Sequence, residues 1–156
     1  MSTLRAFGVG EGQKKYYEEA VYSLTLIHNI INKNISTQHA QYDLTPGKFN
    51  ILMVIKHIGR EKGMKQVEIS KNLILTPSNI TKLIDKLEKE KLVTRSAPPG
   101  DRRVNIVTIT EKGSKLVDMA STGSIGEFKK MAGKLSQDKL KRLSSLLMEW
   151  LSLLQE

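Results

Sequence analysis

TPSNITKLIDKLEKEKLVTRSAPPGDRRVNIVTIT, Thr76 to Thr110, is the stretch on which the fold turns. It opens on Thr76-Pro77: a hydroxyl that can accept a hydrogen bond from an orphan N–H, then a residue suited to a helix's first turn, where no donor is needed. Ile80, Leu83, Ile84 and Leu87 follow at i, i+3, i+4 and i+7, which makes one face apolar. At about 100° per residue, Ser78, Lys82, Asp85 and Lys89 then point outward, with Asn79 and Lys86 on one flank and Thr81 on the other. After Leu92 the period changes. Leu92 to Ser96 and Arg103 to Ile109 are β-favouring runs, and Ala97-Pro98-Pro99-Gly100-Asp101-Arg102 between them predicts a hairpin with a rigid, basic tip.

Upstream of this stretch, Lys65 to Asn72 predicts a short helix with Val67, Ile69 and Leu73 inward. Thr45-Pro46 repeats the helix-start signal, and Phe49 to Ile58 is apolar on most sides, as a central buried helix should be, with Gly59 as its stop. From about Gln13, the spacing of Ala20, Leu24, Ile27, Ile31 and Ile35 predicts a long first helix ending near residues 34–37. Downstream, Thr110 restarts helix. Two glycines within Ser121 to Gly126, each costing about 1 kcal/mol relative to Ala, predict a kink or break there. Ser136 is expected to cap a last helix carrying the stripe Leu140, Leu143, Leu147, Trp150 and Leu154. The fold class expected is therefore mainly α with a small β-hairpin wing. A winged helix-turn-helix is expected over 45–110, flanking helical regions over 13–44 and 111–156, and a flexible tail over 1–12.

Bulk properties bound the function. The chain has 156 residues, a net charge of +9 and no cysteine, which excludes disulfides, thiolate metal sites and thiol redox sensing. Its longest uninterrupted apolar run, Ile51 to Ile55, is far too short to span a bilayer. The first ten residues hold no apolar signal core, so a cytoplasmic protein is expected. Eleven basic and six acidic residues lie between Arg60 and Arg103, which concentrates positive charge on the central domain and favours a polyanion such as nucleic acid. No cofactor is expected. His28, His39 and His57 lack a close metal-binding spacing, and His28, near the apolar face of the first helix, reads as a satisfied core histidine. Tyr16, Tyr17, Tyr22 and Phe49 read as core packing in preference to a ligand pocket.

A helix fits the major groove of B-DNA, and a helix-turn-helix holds one there by packing it on its neighbour. Ser78, Asn79 and Lys82, at the start of the outward face, suit base edges; Lys86 and Lys89 suit phosphates. Asp85 carries the wrong charge for a phosphate; it is expected to orient a neighbouring cation such as Arg95, in preference to accepting from a cytosine amino group. An arginine on the hairpin tip meets concentrated negative potential in a narrow minor groove. The candidate DNA-binding set is Thr76, Ser78, Asn79, Thr81, Lys82 and Lys86 from the helix, with Arg95, Asp101, Arg102 and Arg103 from the hairpin. The chain shows no nucleophile–base–orienter constellation and no phosphate-cradling glycine loop, which argues against an enzyme. Two other classes compete with a sequence-specific regulator: an architectural, effector-independent DNA-binding protein, and an adaptor that uses the winged helix to bind protein.

The order Leu44-Thr45-Pro46, Gln66-Val67-Glu68-Ile69-Ser70, Ile80 to Glu88, Leu92-Val93-Thr94-Arg95, Asp101-x-Arg103 and Ile109-Thr110-x-x-Gly113 resembles the multiple antibiotic resistance regulator (MarR) family. The resemblance is closest from Thr45 to Gly113. It implies a homodimeric winged-helix repressor on a palindromic operator, with the terminal helices as the dimer interface and a small ligand as inducer; the inducer expected is an anionic or aromatic molecule. It also implies Arg103 as the minor-groove arginine and Asp101 as the carboxylate that holds the wing arginines. Two positions depart from the family pattern. Lys91 stands where glycine is usual, so the reading helix is expected to end differently. Met64 stands where a capping hydroxyl is usual, so the helix after it must find another cap or fray.

Overall fold

The computed structural model describes Leu4 and residues 15–73, 76–97 and 105–155. Its elements are α1 (Tyr16–Ala40), α2 (Pro46–Val54), β1 (Met64–Lys65), α3 (Gln66–Leu73), α4 (Pro77–Lys89), β2 (Val93–Ser96), β3 (Ile106–Ile109), α5 (Glu111–Ala132) and α6 (Gln137–Leu153). The 1–12 tail, Leu4 excepted, and the hairpin tip at 98–104 lie outside the described residues. No helix of the described residues is long and apolar enough to cross a membrane.

Three threonines start three helices as expected. Thr45, Thr76 and Thr110 are extended and accept from the backbone N–H of Lys48, Asn79 and Gly113 respectively. Ser136 occupies the equivalent place before α6, but its side chain makes no capping hydrogen bond. The apolar stripes of α2, α3 and α4 converge on one core. Ile51, Leu52, Ile55, Ile69, Ile80, Ile84 and Leu87 are all fully buried, with Val93 and Val107 from the sheet and Val117 and Ala120 from α5. The sheet is antiparallel with order β1-β3-β2, pairing Met64 with Val107 and Val93 with Ile109.

Several expectations are corrected. Met64 and Lys65 form a third strand, which a two-residue segment cannot advertise because its pairing partner is some forty residues away in sequence. The cap that Met64 lacks comes from Glu68, whose carboxylate accepts from the Lys65 N–H at 3.0 Å. Val67 is exposed; it lies about 200° from Ile69 around the helix, so the two cannot share a face, and Ile69 with Leu73 wins. Gly59 is not the left-handed stop of α2. Its φ is −69°, the helix continues through it as a π-turn (Ile55–Gly59), and the reversal falls on Arg60 (φ 47°) and Gly63 (φ 66°). What Gly59 supplies is space, since a Cβ there would lie 2.7 Å from Met64 Cγ.

The break predicted at 121–126 does not occur; α5 is continuous. Packing overrides propensity here. Ser124 is buried against α1, where its hydroxyl lies 2.8 Å from His39 Nε2. The first helix also runs past its predicted end, to Ala40, because its last turn carries His39 into the interior. His39, fully buried, is the core histidine; His28 is exposed and pairs with Asn32 at 2.7 Å. Tyr16, Tyr17 and Tyr22 are exposed on the protomer, and of the four aromatics only Phe49 packs inward, its ring 4.3 Å from that of His39.

Candidate nucleic-acid interface

Helix α4 is held from below and released above. Ile80, Ile84 and Leu87 are fully buried and Leu83 is partly buried, so their opposite face is solvent-facing by geometry. On that face the structure places Ser78, Asn79, Thr81, Lys82, Lys86 and Lys89, all exposed, with Thr76 at the cap before them. Among the described residues Lys82 and Lys86 have no ion-pair partner. The N-terminal end of the helix adds the partial positive charge of the helix dipole, next to Ser78 and Asn79.

Arg95 behaves differently from the other predicted cations. From β2 its guanidinium reaches back to α4, donating through Nη2 to Asp85 and forming an ion pair through Nη1 with Glu88 Oε2 at 3.3 Å. The expectation that Asp85 orients Arg95 is met, and a second carboxylate joins it. Two consequences follow. The base of the hairpin is tied to α4, and both acidic groups of that helix are engaged by one guanidinium. The three lysines of α4 therefore face solvent without a competing unpaired carboxylate on the same helix.

The helix ends as a glycine would end it, although Lys91 stands there. Lys91 takes φ 59°, its N–H donates to Glu88 O, and the Leu92 N–H donates to Leu87 O, both at 2.9 Å. The expectation of a different ending is thus corrected: the left-handed geometry is kept and lysine carries its cost, roughly 1–2 kcal/mol. The same end is gripped from α5. The Thr110 hydroxyl lies 2.9 and 3.1 Å from the Lys91 and Leu92 carbonyls, and Lys112 Nζ donates to Glu90 O at 3.0 Å. Gly113 is required by contact, because a Cβ there would sit 2.2 Å from Leu92 O. From the other side Lys48, buried at the start of α2, pairs with Glu90 at 2.6 Å.

One contact on this surface had no local signature. Gln66, the first residue of α3, donates through Nε2 to Thr81 Oγ1 at 2.6 Å. Spacing along either helix is silent about a partner fifteen residues away on the next one. Asp101, Arg102 and Arg103 lie outside the described residues, so the predicted wing tip is not placed against α4. No cluster of His, Asp or Glu that could hold a metal occurs among the described residues.

The MarR family model matches residues 44–104. The chain is 30% identical over 124 residues to the HTH-type transcriptional regulator MhqR of Bacillus subtilis (strain 168), spanning 80% of this chain and 83% of that one. It is 26% identical over 127 residues to the HTH-type transcriptional repressor IacR of Pseudomonas putida, spanning 81% and 74%. Among solved structures, the S. aureus MepR–DNA complex has the same fold, with a TM-score of 0.77 over 85% of this chain and 96% of that one at 23% identity.

Proposed function

Because the chain belongs to the MarR family of winged-helix transcription regulators, we propose that it is a cytoplasmic, homodimeric repressor that binds a palindromic DNA operator and leaves it when a small molecule binds. The observation that carries the reading is the outer face of α4, where Ser78, Asn79 and Lys82 stand exposed at the end that enters a groove and Lys86 stands further along. Residues 45–110 are the DNA-binding domain; 13–44 and 111–156 supply the dimer contacts. The hairpin tip, with Arg103 as its minor-groove residue and Asp101 and Arg102 beside it, completes each half of the surface. Repression is supported by the similarity to IacR, whose name records that role.

The inducer is an anionic or aromatic small molecule. An open cleft of about 370 Å³ where α1 meets α2, lined by Ser36, Ala40, Asp43, Leu44, Thr45, Pro46 and Lys48, is within the size range of ligand sites. An anion seated there would compete for Lys48, whose partners are the Asp43 carbonyl and Glu90 at the end of α4.

Footprinting on the DNA upstream of the gene tests the reading. One or two protected palindromes support it. Uniform protection would point to an architectural protein, and absence of binding at moderate salt to an adaptor. Replacing Arg103 by Ala is expected to weaken operator binding by about 1–3 kcal/mol with the dimer intact; unchanged affinity would remove Arg103 from the wing role.

A further inference from the structure

Gln66 lies outside the reading helix, yet it touches a residue on the exposed face of that helix. Its amide donates to Thr81 Oγ1 at 2.6 Å, between the first residue of α3 and the outer face of α4. Both side chains are polar and the contact is in solvent, where water could replace either partner, so the bond adds little to stability by itself. Its effect is on direction. Threonine in a helix divides between two χ1 rotamers, because its hydroxyl can turn toward the backbone of the preceding turn. A donor fixed on the neighbouring helix favours the rotamer that aims the hydroxyl at it. The side chain then presents one arrangement of hydroxyl and γ-methyl to whatever lies against α4. Those two groups are chemically distinct to DNA: the hydroxyl exchanges hydrogen bonds with base edges, and the methyl packs on a thymine methyl.

We propose that Gln66 is a positioning residue for base recognition, setting the orientation of Thr81 and so the base preference at the one base pair that Thr81 faces. The proposal rests on the reading of α4 as the groove-entering helix. Gln66 is well placed for the task, because α3 and α4 are locked together beneath it by Ile69, Ile80 and Ile84, all fully buried. The separation of the two backbones that carry Gln66 and Thr81 is therefore set by the core and not by a mobile loop.

The test uses the full-length protein and a duplex selected by the wild type from a randomised pool, together with every single-base variant of that duplex. Affinities are measured for the wild type, Gln66→Met, Thr81→Ala and the double variant, each at several salt concentrations. Methionine keeps the length and helix propensity of glutamine and removes the donor. The expected result is a loss of discrimination of about three- to tenfold at a single base pair in Gln66→Met. Thr81→Ala should lose discrimination at the same pair, the double variant should lose no more, and the salt slope should stay unchanged. A uniform loss across all duplexes with a flatter salt slope would make Gln66 a phosphate contact and overturn the proposal. So would an unaltered preference in Gln66→Met. The wild-type measurements report separately on the underlying reading: if the pool yields no preferred sequence, that reading fails, and the proposal with it.

Discussion

Lys86 and His39 show how differently a single side chain can matter. Lys86 is exposed on the outer face of α4 and has no ion-pair partner among the described residues, so its charge is available to a phosphate. Lys86→Ala is expected to weaken binding to all DNA sequences alike and to lower the slope of log K against log salt by about 0.9, one released counterion. Loss confined to one sequence would show that it reads a base instead. His39 is fully enclosed between α1, α2 and α5. Its Nε2 lies 2.8 Å from Ser124 Oγ, and that hydroxyl donates to Ala120 O, which makes Nε2 the donor and leaves Nδ1 as the bare nitrogen. Nδ1 is buried with no acceptor among the described residues to receive a second N–H, and burial lowers the imidazole pKa from its ordinary 6.5. A depressed folded-state pKa contributes stability that is fully present above 6.5 and is lost as pH falls toward and through the folded value. Urea midpoints at fixed protein concentration should therefore fall between about pH 7 and 5.5. In His39→Gln that fall should be smaller; an equal fall would assign it to other groups.

At the scale of elements, the turn after α4 offers a direct stability test. Lys91 holds a left-handed conformation that glycine adopts without strain. Lys91→Gly should stabilise the protein by up to about 1 kcal/mol, the relieved strain less the added freedom of the unfolded chain. Thermal unfolding reads the change, and a lower midpoint would mean that the lysine side chain holds something the backbone geometry does not reveal. The same turn shows what was legible beforehand. Thr45, Thr76 and Thr110 announced three helix starts because capping is a local matter of a hydroxyl and the next three N–H groups. The stripe Ile80, Leu83, Ile84 and Leu87 announced the inner face of α4, and with it the outward residues, because periodicity is local too. What stayed hidden depends on distant partners. β1 exists only through pairing with β3, α5 runs through Gly123 because α1 packs against it, and Gln66 meets Thr81 only once two helices are docked. Val67 was misplaced for a different reason, a helix-face assignment that two-residue spacing cannot satisfy.

The whole molecule leaves one set of surfaces without a partner inside the protomer. No residue of α6 is buried, and Leu143, Leu146, Leu147 and Leu151 are exposed along it; Val21, Leu24, Ile27 and Ile30 are exposed along α1. Pairing with a second copy would cover them. Leu147→Glu combined with Leu151→Glu is expected to convert a dimer to a monomer in light scattering and to weaken DNA binding, since two half-sites would no longer be engaged together. A variant that stays dimeric would place the contact elsewhere, and a monomeric wild type would remove the dimer reading. The grip of Thr110, Lys112 and Gly113 on the carbonyls of residues 90–92 has a mechanical meaning in such an assembly. α5 is a continuous rod of 22 residues, about 33 Å long, pinned at one end to the tail of the reading helix. A rod of that length turns a tilt of 5° at one end into about 3 Å at the other. Because the fastening is made of backbone carbonyls and a glycine-sized gap, it has little slack to absorb such a swing. The spacing between two reading heads would then be geared to the angle of α5, and a small rotation far from DNA would be enough to put the pair out of step with the turn of the double helix.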